Sequence, residues 1–223
     1  MYKYHKIETL FNRDENFKVT EEIRLPEFEN IKNWLITEKI DGTNIRVIFT
    51  PDDKLLIRGR TDKASIPTFL LEELQNIFTL EKVKAILDNP IEKGLCLYGE
   101  GYGAKIQKGG GNYNQYNSFR LFDIWIDGCW LEWDSVVEIA EQLGIKTVPT
   151  AGLTTIKDAI SLVKPRNKEL SDCRLYSGVA LAENNKVILS EGIVARAYPT
   201  MLFRRGNPIK WKLKIKDYEK GGK

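Results

Sequence analysis

Lys39 is the side chain with the clearest chemical prospect. It stands in Thr37-Glu38-Lys39-Ile40-Asp41-Gly42-Thr43-Asn44, a polar knot between the apolar runs Asn33-Trp34-Leu35-Ile36 and Ile45-Arg46-Val47-Ile48-Phe49. Both runs read as strands. A lysine at a strand end, a carboxylate two residues on and then a glycine suit covalent catalysis at phosphorus. The amine can attack, the carboxylate leaves on the same side, and the glycine lets backbone approach a ligand closely. Taken alone, Lys-x-Asp-Gly describes a strand-end hairpin with a solvated lysine equally well. Further along, Arg60, Glu100, Phe122, Glu191, Lys212 and Lys214 each fall at or beside an expected strand. That is where a scaffold holds groups firmly enough for chemistry.

The elements that must position these residues follow from periodicity and turn signals. Residues 1–32 show no clean period and read as short strands or loops. Pro51-Asp52-Asp53 turns the Lys39 hairpin back into Lys54 to Thr61. Helical spacing predicts helices over Thr68–Phe78 and Glu81–Leu87, the second ended by Asn89-Pro90. Leu95 to Tyr98 and Leu121 to Ile126 read as strands. Asp134 is expected to cap a helix through Leu143, stopped by Gly144, and a further helix to run from about Thr155 to Val163. Lys164 to Asp172 is polar and irregular. Strands are expected at Lys186–Leu189 and Gly192–Ala195, and the alternation from Ile209 to Tyr218 predicts a closing strand with one apolar face and one lysine face. The Gly109-Gly110-Gly111 run lacks the following helix with Lys-Ser/Thr of a phosphate loop and reads as a flexible turn.

Composition narrows the class. The 223 residues suffice for one large domain or two small ones, and 42% hydrophobic with 29% charged residues is ordinary for a globular protein. No apolar run approaches the roughly 20 residues that span a bilayer, and the N-terminus lacks the apolar core of a signal peptide. Cys96, Cys129 and Cys173 have no metal-ligand spacing and read as reduced thiols of a cytoplasmic protein. His5, the sole histidine, can build neither metal site nor triad and is read as solvated. The net charge of +3 is uneven. Arg204 to Lys223 holds eight basic and two acidic residues, a local +6, against −3 for the rest. An anionic partner at that end, or a merely solvated tail, would each account for it.

In order and wording these motifs resemble those of the covalent nucleotidyltransferases, and within them the RNA ligases, especially the phage type with one compact adenylylation domain. Lys39-Ile40-Asp41-Gly42 resembles the nucleophile motif and Gly59-Arg60-Thr61 the arginine motif after it. Tyr98-Gly99-Glu100-Gly101 through Ile106-Gln107-Lys108 is similar to the third motif in its RNA-ligase form. Leu121-Phe122-Asp123 resembles the aromatic motif, Glu191-Gly192-Ile193-Val194 the fourth, and Trp211-Lys212-Leu213-Lys214 the fifth. The resemblance runs from about Trp34 to Tyr218.

It implies an α+β nucleotidyltransferase (adenylylation) domain, mainly antiparallel sheets flanked by helices in an ATP-grasp-like arrangement, filling residues 1–223 as a single domain. Nine residues follow Lys214, so neither an OB-fold nor a C-terminal helical domain is expected. The implied activity is that of an ATP-dependent polynucleotide ligase using ATP and Mg²⁺. Lys39 attacks the α-phosphorus, AMP passes from the lysine to a 5′-phosphate end, and that end is joined to a 3′-OH. A lysine ammonium is no nucleophile, so Lys39 has to give up its proton, which neighbouring cations would favour. By resemblance, Lys212 and Lys214 grip the α-phosphate, Glu191 holds metal, Glu100 and Arg60 address the ribose and phosphates, and Phe122 stacks on the base. Glu38 is expected near the base edge, while Asp41 and Gly42 complete the nucleotide site, Asp41 either orienting neighbours or holding metal. On pattern alone Phe122 also fits an apolar core and Glu191 a strand-edge charge. The expected partners are polynucleotide ends, RNA first and DNA possible, with no membrane. The alternatives are a minimal DNA ligase and a nucleic-acid-binding module that keeps the fold without turnover; a binding module needs no nucleophilic lysine.

Overall fold

A computed structural model of the chain describes residues 3–87, 89–164 and 174–219. Cys173, Lys220, Lys223 and the polar stretch beyond Lys164 lie outside the described residues. The chain parts into two units. One takes in Asp41–Val148 with Tyr4, and the other His5–Ile40 with the described part of Pro149–Lys223.

The second unit begins with β1 (Glu8–Thr9), the antiparallel pair β2 (Phe11–Arg13) and β3 (Val19–Ile23), the single turn α1 (Pro26–Glu29) and β4 (Trp34–Lys39). Alternation along β4 sends Trp34, Ile36 and Glu38 to one face and Leu35, Thr37 and Lys39 to the other.

The chain then enters the first unit. It runs through β5 (Thr43–Phe49), β6 (Leu55–Gly59), α2 (Thr68–Ile77), α3 (Leu80–Ala85), β7 (Leu95–Tyr102) and α4 (Gly110–Tyr113). It leaves through β8 (Ser118–Ile126), β9 (Cys129–Trp130), α5 (Trp133–Gln142) and β10 (Lys146–Thr147). The strands lie in the order β10-β8-β7-β5-β6 with β9 on β8, all antiparallel except β10. One face of this sheet is apolar: Ile45, Val47, Leu97, Leu121 and Ile124 are buried. Spacing of i, i+4 puts Leu70 and Leu74 of α2 on one buried side, and Phe78 just beyond meets Phe119 edge-on at 5.2 Å. The opposite face carries polar groups in register, Asn44–Glu100–Arg120 and Arg46–Tyr98–Asp123.

Returning to the second unit, the chain forms β11 (Thr150–Thr154), α6 (Ile156–Ser161), α7 (Gly178–Asn184), β12 (Gly192–Ala197), β13 (Lys210–Lys214) and α8 (Lys216–Glu219). The sheet order is β1-β13-β12-β4-β11, antiparallel except for β1 beside β13. Its core face gathers Trp34, Ile36, Ile193, Ala195, Trp211 and Leu213 with Leu10, Phe28 and Val163. Trp34 and Trp211 meet at 5.5 Å, tilted by 61°. Full burial of each such large apolar side chain is worth roughly 1.5–3 kcal/mol, which anchors the register of β4 and β13.

The expected mixed α+β architecture, antiparallel sheets with flanking helices, is what the chain forms. Several local expectations differ. The closing strand stops at Lys214, where the chain turns into α8; Ile215 just before the helix is in the core and Tyr218 within it packs against the core. Residues 186–189 form no strand; Tyr176 and Leu189 make one isolated bridge, and the Ile188 carbonyl accepts from the Ser177 N–H. Burial of Trp133 starts α5 ahead of Asp134, so Glu132 is the cap residue. Gly110, buried, opens the short helix α4 where a flexible turn was expected. Both ring nitrogens of His5 are buried, so it is not solvated.

Candidate active site

In the second unit three strands bring Lys39, Glu191 and Lys214 together. The central β12 pairs Gly192 with Lys39 of β4 on one side and with Lys214 of β13 on the other. Glu191 immediately precedes this shared position. Its carboxylate accepts from Lys39 Nζ through Oε2 and from Lys214 Nζ through Oε1, the latter at 2.5 Å. Burial pushes the Glu191 carboxyl up, but the attraction and hydrogen bonds of Lys39 and Lys214 outweigh it and hold the group below its ordinary range. The side chains are 21%, 11% and 27% exposed for Lys39, Glu191 and Lys214, so this is a partly buried charged cluster. Close strand approach demands the glycine: a Cβ on Gly192 would lie 2.0 Å from the Leu213 carbonyl oxygen. Lys212 stands level with Val194 and Thr37, on the same sheet face as Lys39 and Lys214.

Glu38 faces the other way. It is 3% exposed; its carboxylate accepts from Ser177 Oγ and, at 3.3 Å, from the Val179 N–H at the start of α7. Its backbone N–H donates to the Pro149 carbonyl at 2.8 Å. The side chain beside Lys39 thus ties β4 to the N-terminus of α7; alternation separates it from Lys39, but the expected place at a base edge gave no sign of this tie.

In the first unit, Gly42 is hemmed in by β7: a Cβ there would sit 2.3 Å from the Gly101 carbonyl oxygen. Close packing within the fold already accounts for this glycine. The Asp41 N–H donates to Tyr113 Oη at 3.4 Å. Arg60 is exposed directly after β6. Glu100 is half-buried on the polar face of β7, in register with Asn44 and Arg120.

Phe122 owes its orientation to a β-bulge. Gly99 pairs with Leu121 and Tyr98 with Asp123, so Phe122 is the extra residue. Such a bulge turns two successive side chains to one face, and Phe122 lies edge-on to the Tyr4 ring at 5.2 Å, 63°. The Tyr4 hydroxyl donates to Asp123, and its ring also touches Tyr98 at 5.0 Å. Phe122 is therefore on the polar face with Glu100 and not in the apolar core.

Sequence reading missed Tyr4, Asp123 and Arg46 as supports. Arg46 is 1% exposed; its Nε donates to the Gly59 carbonyl at 2.7 Å and its guanidinium pairs with Asp62. An arginine inside the run Ile45 to Phe49 was the available signal. Tyr4 had none, because its partners lie more than ninety residues away. Among the described residues there is no group of three or more His, Cys, Asp or Glu able to hold a metal, and no helix long and apolar enough to cross a membrane.

The fold has solved counterparts. A Naegleria gruberi RNA ligase with pyrophosphate matches with TM-score 0.65 and 18% identity over 98% of this chain. An arginine-to-alanine variant with ATP and Mn matches with the same scores, and a lysine-to-methionine variant with AMP and Mn matches at TM-score 0.63 and 17% identity. At such identities the likeness is one of fold alone. This chain spans 57% of the length of those proteins. No curated protein sequence matches. The family model for RNA ligase, however, matches residues 32–212, from the strand that carries Lys39 to the strand that carries Lys212. By that match, through both units and most of its length, the chain belongs to the RNA ligase family.

Proposed function

We propose that the protein is an ATP-dependent RNA ligase working through a lysyl-AMP intermediate at Lys39. The carrying observation is the Lys39–Glu191–Lys214 cluster, in which adjacent strands present a nucleophile, an orienting carboxylate and a phosphate-binding amine on one face. A solvated lysine at a hairpin end would need neither partner.

In this reading Lys39 loses its proton and attacks the α-phosphorus of ATP. The N–P bond forms, the bond to pyrophosphate breaks, and Lys212 and Lys214 meet the negative charge on the phosphoryl oxygens. Phe122 stacks on the base, while Arg60 and Glu100 engage the ribose and phosphates. Glu38 and Gly42 serve the nucleotide site by holding its backbone, and Asp41 completes the loop. The 5′-phosphate of a polynucleotide end then attacks the phosphorus of the lysyl-AMP, breaking the N–P bond and releasing the lysine, and a 3′-OH attacks that 5′-phosphate, forming the phosphodiester and expelling AMP. The neighbours solved with ATP or AMP and Mn support both a nucleotide and a divalent ion here.

Mg²⁺ keeps most of its waters and needs only one or two carboxylates besides phosphate oxygens, and Glu191 is an oxygen donor of that kind. Its two oxygens accept from Lys39 and Lys214. When bound, the ion supplies positive charge against the reacting phosphate. We read residues 1–223 as a single adenylylation domain, because the family match spans both units. The free thiols Cys96 and Cys129 support a cytoplasmic setting.

The test is incubation with α-labelled ATP or GTP and Mg²⁺ or Mn²⁺, followed by denaturing electrophoresis. ATP should label the protein through a bond that acid cleaves more readily than alkali. Lys39→Ala should remove the label, and so should Lys39→Arg, whose guanidinium stays protonated. Labelling that persists in either variant would move the nucleophile elsewhere; GTP labelling as efficient as ATP would overturn the nucleotide choice. Sealing assays on matched RNA and DNA ends then decide the polynucleotide.

A further inference from the structure

The loop joining β7 to β8 carries the Gly109-Gly110-Gly111 run, for which adenylylation has no task. Its backbone is closely built. Gly103 takes φ +118, and a Cβ there would lie 2.1 Å from the Tyr116 carbonyl oxygen; a Cβ on Gly110 would lie 1.9 Å from the Gly103 carbonyl oxygen. Asn114 Oδ1 accepts from the Tyr116 N–H at 3.0 Å. The backbone at Tyr116 is thus held on two sides, yet its ring is 80% exposed. A well-anchored aromatic left in water gives the fold little of the stabilisation its burial would bring.

Beside that ring opens a recess of about 440 Å³ whose lining includes Tyr116, Phe69, Lys105, Gln115, Asn117 and Glu73. Phe69 is itself 37% exposed. The Asn117 Oδ1 atom is buried and accepts no hydrogen bond from the described residues. One amine and one carboxylate cancel, so the recess is not built for a phosphate or a bare ion. Two aromatic rings and two side-chain amides suit a flat, neutral ring with hydrogen-bonding edges, which is a nucleobase. The same loop reaches the nucleophile motif: Gln107 Nε2 donates to the Gly42 carbonyl at 3.0 Å, and Tyr113 Oη accepts from the Asp41 N–H.

We propose that this recess is a subsite for an unpaired base of a single-stranded RNA substrate, with Tyr116 as its stacking platform. The proposal rests on the RNA ligase reading above. Its test uses the full chain, a short fluorescent 5′-phosphorylated single-stranded RNA, and self-adenylylation by labelled ATP as a separate readout. Tyr116→Ala should bind the RNA about tenfold more weakly, the loss of one base–aromatic stack. Its salt dependence should stay as in the parent, because stacking releases no counterions. Tyr116→Trp should restore affinity, and both variants should label with ATP as the parent does, which also certifies their folding. A parent that labels and binds RNA, with Tyr116→Ala binding equally well, overturns the subsite and leaves the ligase reading intact. A parent that neither labels nor binds RNA overturns the ligase reading and the subsite with it. Equal dependence on Tyr116 for a fully paired blunt duplex overturns the choice of an unpaired base.

Discussion

Glu191 holds two amines that would otherwise face each other, and this makes its charge a source of stability. Because its carboxyl is held below the ordinary 4.5, the contribution is complete above that pH and is lost as pH falls through the lowered folded value. Glu191→Gln should therefore lower stability by about 1–3 kcal/mol at neutral pH, and the gap to the parent should narrow as pH falls below 4.5. Urea unfolding midpoints at the two pH values check this; a gap that widened in acid would contradict it. Lys214→Ala and Lys212→Ala should each cripple self-adenylylation with no nucleic acid present, read by labelling with ATP. Tyr4→Phe removes one donor from the fully buried Asp123. We expect a loss of about 1–3 kcal/mol, visible in the same unfolding experiment.

Two features of the elements set the site's shape. Gly192 lets β12 lie close to β13, so Gly192→Ala must force the Leu213 carbonyl away. The expected cost is about 1–3 kcal/mol of overpacking, together with loss of ATP labelling as Glu191 and Lys214 part. Full labelling by a stable Gly192→Ala protein would show that strand spacing does not govern the cluster. The bulge on β8 acts on Phe122. Since that ring lies on the polar face and outside the apolar core, Phe122→Ala should raise the KM for ATP more than it lowers stability. Steady-state labelling rates against ATP concentration, beside a melting curve, separate the two effects.

At the scale of the whole molecule the charge asymmetry becomes a statement about partners. Lys212 and Lys214 belong to the cluster and its sheet face, whereas Lys216 is exposed on α8 and Arg204 and Arg205 are exposed in a turn. Alanine at Lys216, Lys220 and Lys223 together should spare adenylylation and weaken polynucleotide binding. It should also flatten the salt dependence by about 0.7 in log–log slope for each phosphate of a single strand that is no longer neutralised. Affinity measured across a salt series decides it; an unchanged slope would return that end of the chain to plain solvation.

The sequence alone determined what depends on neighbours in the chain. Alternation from Trp34 to Lys39 already separates Lys39 from Glu38, and the i, i+4 spacing of Leu70 and Leu74 already marks α2, because period and burial are local properties. The ordered motifs around Lys39, Glu100, Phe122, Glu191 and Lys214 were likewise legible as a resemblance to the RNA ligases, the family whose model matches residues 32–212. Tertiary structure decided the rest. Register between β4, β12 and β13 brings Lys39, Glu191 and Lys214 to one carboxylate across more than 150 residues of chain. One extra residue opposite Gly99 turns Phe122 out of the core. Tyr4 finds Asp123 through packing that no local pattern encodes. Pairing and packing across such separations are chosen by the energy of the assembled sheets, not by the propensity of any one segment.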